Sequence, residues 1–247
     1  MPLKRHEQDW EDLADMDTFW AIVGTRRKPG KRDIAKFFLS GDMEIRRVME
    51  TVIRLGFPFE RELALDFGCG AGRVTRGLAK YFQQCYGVDI SETMIALAKE
   101  LNQSIANCKF VQSTDEHLHL FSDGYFDMIY TDIVLQHMPS RFLIKSYISE
   151  FLRILKDGGL LVFQLPSHIP LKHRIQPRRR AYALLRSLGL PRSFLYGQLR
   201  LNPVRMNFVP KSHIVDLLNT KGARVLEVKV DSLTSSSIKS STYFVTK

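Results

Sequence analysis

Cysteine is scarce in this chain: Cys69, Cys85 and Cys108 are the three in 247 residues, with no even set at framework spacing. A disulfide scaffold is therefore not expected, and free thiols in a reducing compartment are. No window approaches ~18 uninterrupted apolar residues, so no membrane-spanning helix is expected. The opening residues, Met1 to Trp10, hold no apolar core followed by small residues of the kind a secretory leader has, which points to a cytoplasmic protein. Acid is missing from one long stretch. Between Gly158 and Val215 there are ten Lys and Arg and no Asp or Glu, an excess equal to the net charge of +10 for the whole chain. Such a field attracts phosphates, anionic lipid or nucleic acid without saying which. Internal repeats are absent, and the one low-complexity tract, Ser232 to Ser237, reads as a loop between late strands.

What is present suits one large α/β domain, with 45% apolar and 25% charged residues to fill a core and cover it. Residues 1 to about 60 read as a polar helical segment carrying Trp10, Phe19, Trp20, Phe37 and Phe38, broken by a basic Pro-Gly stretch from Arg26 to Arg32. Its second half places Met43, Ile45, Val48, Met49, Val52, Ile53 and Leu55 at helical spacing. From 61 to 166 short apolar runs alternate with amphipathic ones. Strands are expected at 63–67, 85–89, 110–112, 126–131 and 160–165, and helices at 74–82, after Ser91 to about 101, and at 142–155. A basic insertion at about 167–206 interrupts the alternation; a helix near 214–218 and strands at 225–230 and 242–246 resume it. Alternation of this kind implies right-handed crossovers and a mostly parallel sheet, with ligands at the carboxyl ends of its strands.

The first strand runs from Leu63 through Asp66 into Gly68-x-Gly70-x-Gly72 and then a helix. Glycines there let the chain turn sharply and let a ligand lie against bare amides. Arg73 stands where the dinucleotide fingerprint wants its third glycine or alanine, so a pyrophosphate reader is disfavoured. Asp89 ends the second strand, 17 residues after Gly72, where a carboxylate can accept hydrogen bonds from both hydroxyls of a ribose. Asp66 is placed to meet a cationic amino group. An amine at one end, a ribose in the middle and no phosphate describe the ligand.

Four ordered segments, Leu65 to Arg73, Gly87 to Ser91 with Met94, Phe126 to Tyr130 and Leu155 to Gly159, span about 100 residues. In order and spacing they resemble the signatures of class I S-adenosylmethionine-dependent methyltransferases. The resemblance implies a doubly wound, Rossmann-like α/β fold with a seven-stranded sheet, mostly parallel with an antiparallel last strand, over residues 61–247. It implies a lid from residues 1–60, in which Trp20 and Phe38 would close the pocket. It implies S-adenosylmethionine as cofactor, with Asp66, Gly68, Cys69, Gly70 and Gly72 around its methionine portion. Asp89 would hold its ribose, Ile90 would pack on adenine, and Met94 falls within the same signature. Thr114, Asp115 and Glu116 would flank the adenine, although many relatives carry Asp at the position of Thr114. Thr131 to Ile133 would flank the sulfonium.

Methyl transfer needs in-line approach of the acceptor, and a base where the acceptor is protonated. His137 is the candidate base; buttressing the loop that carries it is the competing role. Cys69 has no Cys or His near it and reads as a small packed residue. His117 and His119 are expected to face solvent. Asp132 stands alone beyond the fourth strand, so no metal is expected. Within Arg178 to Leu188, apolar residues at 181, 184, 185 and 188 suggest a helix covering the sheet; contact with an anionic acceptor or a membrane surface would use its cationic face. The acceptor is expected to be a small or medium metabolite, sugar or lipid-linked molecule. Nucleic acid is the alternative, but the chain has neither the Asn- or Asp-Pro-Pro-aromatic run nor the Pro-Cys pair of enzymes that methylate bases. A non-catalytic S-adenosylmethionine-binding regulator is the reading from another class.

Overall fold

The computed structural model describes residues 2–23, 31–231 and 238–247; the side chains of Phe19 and Trp20, and the Ser232–Ser237 tract, lie outside the described part. Two helices, α1 (Pro2–Val23) and α2 (Lys31–Leu55), precede β1 (Leu63–Phe67), α3 (Arg73–Leu78), β2 (Gln84–Asp89), α4 (Glu92–Leu101), β3 (Cys108–Gln112) and β4 (Phe126–Thr131). A single 3-10 turn, Leu135–His137, leads to α5 (Arg141–Ile154) and β5 (Leu155–His168). The basic stretch forms α6 (Leu171–Arg174), α7 (Pro177–Ser187) and α8 (Arg192–Gly197), and the chain closes with α9 (Lys211–Thr220), β6 (Arg224–Val230) and β7 (Lys239–Thr246).

The seven strands form one sheet in the order β3-β2-β1-β4-β5-β7-β6. The first five are parallel, and β7 runs antiparallel to both of its neighbours, β5 and β6. This is a doubly wound α/β fold, and its strand order reverses between β1 and β4. Because side chains alternate across a strand, neighbouring residues enter opposite cores. Leu65, Ile129, Leu161 and Val245 pack under α5 and α9, with Phe151 and Ile214. Ala64, Met128, Leu160 and Phe244 pack under α2 and α3, with Ile45, Met49 and Leu78. Both faces are covered, which is why β4 is buried at every position.

Boundaries differ from the sequence pattern where a partner decides them. β5 continues to His168, beyond the expected Leu165, because Ser240 and Lys239 of β7 pair with Pro166 and His168. α3 stops at Leu78, short of the expected Phe82, in a turn where the amides of Tyr81 and Phe82 both reach the Leu78 carbonyl. The start of β1 is tied down by buried Asp127, whose Oδ2 accepts from the amides of Glu62 (3.0 Å) and Leu63 (2.7 Å) while Oδ1 pairs with Lys156 at 2.7 Å. α7 does not cover the sheet as its stripe suggests. Tyr182 is its buried residue, and Leu184 and Leu188 are 61% and 68% exposed.

Candidate active site

Parallel pairing sets the site. Phe67 lies beside Val88, so β1 and β2 end together, and the amides of Gly68 (2.7 Å) and Cys69 (3.0 Å) both turn back to the Val88 carbonyl. The loop makes that turn with glycine at three left-handed positions, Gly68, Gly70 and Gly72. Gly68 has φ 78° and a Cβ there would meet Val134 at 2.3 Å; Gly70 has φ 51° and faces open space. Gly72 caps α3 at its N-terminus.

Two lobes of similar size open on either side of this loop, of about 270 Å³ and about 280 Å³, and both are lined by Gly68, Gly70, Met94 and Asp132. The first is bounded by Asp89, Ile90, Ser113, Ile133 and His137, and roofed by Leu3, His6 and Trp10 from α1. Asp89 accepts from the Gly70 amide at 2.9 Å and the Ser91 amide at 3.0 Å, which locks the loop to the end of β2. Burial raises its pKa against these amide bonds. Ser91 caps α4 through the Met94 amide at 3.1 Å.

The second lobe is bounded by Asp66, Cys69, Arg73 and Phe37. Asp66 accepts from the Thr75 hydroxyl at 2.6 Å, and burial lifts its carboxyl to about 7. A cation entering this lobe draws that carboxyl into its charged form. Cys69 is buried, with burial pushing its thiol well above the usual range, so it offers no thiolate.

The remaining expected residues differ in whether they line the lobes. Ser113, one residue earlier than Thr114, lines the first lobe; Thr114 and Asp115 are exposed and Glu116 half-buried, with Asp115 taking bonds from the His117 amide and, at its carbonyl, from Tyr147. Thr131 is buried in the sheet at the end of β4, whereas Ile133 reaches the lobe. His117 and His119 are exposed. Phe38 packs with Phe37 and Ala71 beneath Arg76 (4.6 Å), so Phe37 is the ring that meets the pocket.

His137 donates from Nδ1 to the Arg205 carbonyl at 2.6 Å, has Gln136 Nε2 3.3 Å from its Nε2, and meets the Trp10 ring at 5.5 Å. Burial lowers its pKa, so it is neutral. One ring thus joins α1, the 3-10 turn and the basic segment. Sequence reasoning missed Trp10 and His6 as roof residues, and missed Glu44, which takes the Tyr130 hydroxyl at 2.9 Å and pairs with Arg73 at 2.8 Å. No local signal marks them, because α1 and α2 come before the motif-bearing strands.

Residues 65–163 match the family described as a methyltransferase domain. The chain is 29% identical over 155 residues to a 2-methyl-6-phytyl-1,4-hydroquinone methyltransferase of Synechocystis, covering 62% of this chain and 47% of that one. It is 32% identical over 112 residues to a trans-aconitate 2-methyltransferase of Deinococcus radiodurans, covering 45% and 41%. The chain thus spans less than half the length of these curated relatives. Its fold superposes with a TM-score of 0.61 on the crystal structure of the magnesium protoporphyrin IX methyltransferase of Synechocystis with S-adenosylhomocysteine bound, at 16% identity, covering 98% of this chain and 97% of that one. Residues 65–163 thus match a methyltransferase-domain family, and the fold is the one that the S-adenosylhomocysteine-bound methyltransferase shares.

Proposed function

We propose that the chain binds S-adenosylmethionine across the two lobes and transfers its methyl group to a small or medium acceptor, at oxygen or nitrogen. The adenosine occupies the first lobe, with its ribose hydroxyls on Asp89 and its adenine against Ile90 and Ser113. The amino group enters the second lobe beside Asp66, and the sulfonium lies over Gly68 and Gly70 toward Asp132 and Ile133. The observation that carries this reading is the pair of carboxylates, Asp66 and Asp89, at the ends of adjacent strands on either side of one glycine loop. α1 and Phe37 close over the ligand and exclude water.

Titration calorimetry with S-adenosylmethionine, S-adenosylhomocysteine and NAD tests it. Both sulfur nucleosides should bind and NAD should not. Asp89→Ala should weaken binding by about 2 kcal/mol, through loss of charge-assisted bonds; NAD binding, or an unchanged affinity in the variant, refutes the assignment. Release of S-adenosylhomocysteine with a pool of small acceptors separates an enzyme from a non-catalytic binder.

A specific observation favours a lipid-linked acceptor among the candidates. In the basic segment Leu171, Ile175, Leu184, Leu188, Phe194 and Leu199 are exposed among exposed Arg178, Arg180, Arg186 and Arg200. Apolar groups amid arginines, all but Phe194 aliphatic, suit an anionic lipid surface better than the stacking that single-stranded nucleic acid requires.

A further inference from the structure

Three cavities meet at one side chain. Asp132, the first residue beyond β4, lines both lobes of the cofactor site and also a wide cleft of about 830 Å³ between α2, the ends of β4 and β5, and the β6–β7 edge. The other carboxylates of that cleft are engaged: Glu44 by Tyr130 and Arg73, Asp231 by the Thr242 hydroxyl at 2.9 Å. Asp132 has no hydrogen bond or ion pair among the described residues. The backbone that presents it is strained, since Ile133 holds φ 57°, a left-handed conformation that a β-branched residue adopts only when its surroundings impose it. His137 lines the adenosine lobe and does not line the cleft, and its Nδ1 is committed to Arg205.

We propose that Asp132 is the general base of the transfer, and that the acceptor's reacting group carries its own proton, as a hydroxyl or an amine, and is not a carboxylate. This rests on the cofactor placement above. In the step, the acceptor oxygen or nitrogen bonds to the methyl carbon as the carbon–sulfur bond breaks, its electron pair going to sulfur. The acceptor's proton passes to the Asp132 carboxylate, so the charges of sulfonium and carboxylate are both discharged. A carboxylate acceptor needs no base, and would bring its charge toward Asp132, Glu44 and Asp231.

The groups around Asp132 tune it. Burial raises its carboxyl to about 7, aided by Glu44 of α2 and Asp231 beyond β6, opposed by Arg73 at the start of α3, and raised again by Asp66 of β1. The Tyr130 hydroxyl of β4 faces the same cleft, as do Arg47 of α2 and Lys229 of β6. The result is a base poised to take a proton near neutrality.

The test compares calorimetric affinities for S-adenosylmethionine and S-adenosylhomocysteine at about pH 6 and about pH 8 in the wild type and Asp132→Asn. Only the former ligand carries the sulfonium, so an ionising Asp132 should raise its preference over the latter by about fivefold between the two pH values. The Asp132→Asn preference should not change. Asp66 faces the amino end that both ligands share, so its titration cancels in the ratio. A ratio independent of pH in the wild type, with both ligands bound, overturns this proposal alone; failure of both to bind overturns the cofactor assignment instead. A second arm uses methyl-tritiated cofactor with a low-molecular-weight metabolite extract. Label stable to alkali, with turnover lowered about a hundredfold or more in Asp132→Asn and cofactor KM raised by no more than the about fivefold of the first arm, supports the base. Label released by alkali as methanol marks an ester and overturns the acceptor class. If no acceptor is labelled, the affinity ratio decides.

Discussion

Asp66 and Asp132 are two carboxyls that burial lifts from the ordinary 3.8 to about 7. Their effect on stability has a definite sign. Between about pH 4 and pH 7 the folded protein keeps protons that the unfolded chain has released, so stability falls as pH rises through that window and levels off above it. Asp132→Asn removes one such group. Denaturant melts should find the variant no more stable than the wild type near pH 4, and about 2 kcal/mol more stable near pH 8, a figure reduced from the full linkage value for partial solvent contact. A difference equal at both pH values would show that Asp132 is not buried as its surroundings indicate. Asp127 shows a different use of the same residue type. Two backbone amides and Lys156 satisfy it, and it anchors β1 far from the cavities.

Among the elements, α1 is held in place by contacts distant in sequence. Glu11 accepts from the amide and hydroxyl of Thr93 at the start of α4, and Asp12 pairs with Arg192 of α8. These fasten α1 over the adenosine lobe, with Trp10 against His137. Trp10→Ala should weaken S-adenosylhomocysteine binding by about 1 kcal/mol while leaving the melting temperature within a few degrees, as a roof residue should. Equal affinity in the variant would leave α1 as packing only. The strands and helices between 61 and 166 were readable because each carries its own period, apolar runs for buried strands and a 3.6-residue stripe for α5. Their ends were not, since the length of β5 depends on β7, which joins it from about 70 residues away. The stripe in α7 misled for the complementary reason. It is amphipathic, yet Leu184 and Leu188 stay mostly exposed.

At the scale of the molecule, no helix among the described residues is long and apolar enough to cross a membrane, yet the basic segment offers a cationic, partly aliphatic face. If it docks on lipid, the protein should cosediment with phosphatidylcholine vesicles containing phosphatidylglycerol and not with phosphatidylcholine alone. Leu184→Asp with Leu188→Asp should abolish this while cofactor affinity holds; cosedimentation unaffected by the pair would exclude α7 as the contact. The sequence by itself determined the alternation of strands and helices, the crossing of a glycine loop between Asp66 and Asp89, and the methyltransferase-domain pattern that residues 65–163 match, because each of these rests on local period, local conformational demand or fixed spacing. The tertiary structure decided that Ser113 and not Thr114 lines the lobe, that Phe37 and not Phe38 meets it, and that His137 braces α1 and the basic segment. It also decided that Asp132, solitary in the chain, stands where three cavities join. These outcomes depend on which surfaces meet across the fold, and that is fixed by packing between residues far apart in sequence, where no local pattern records it.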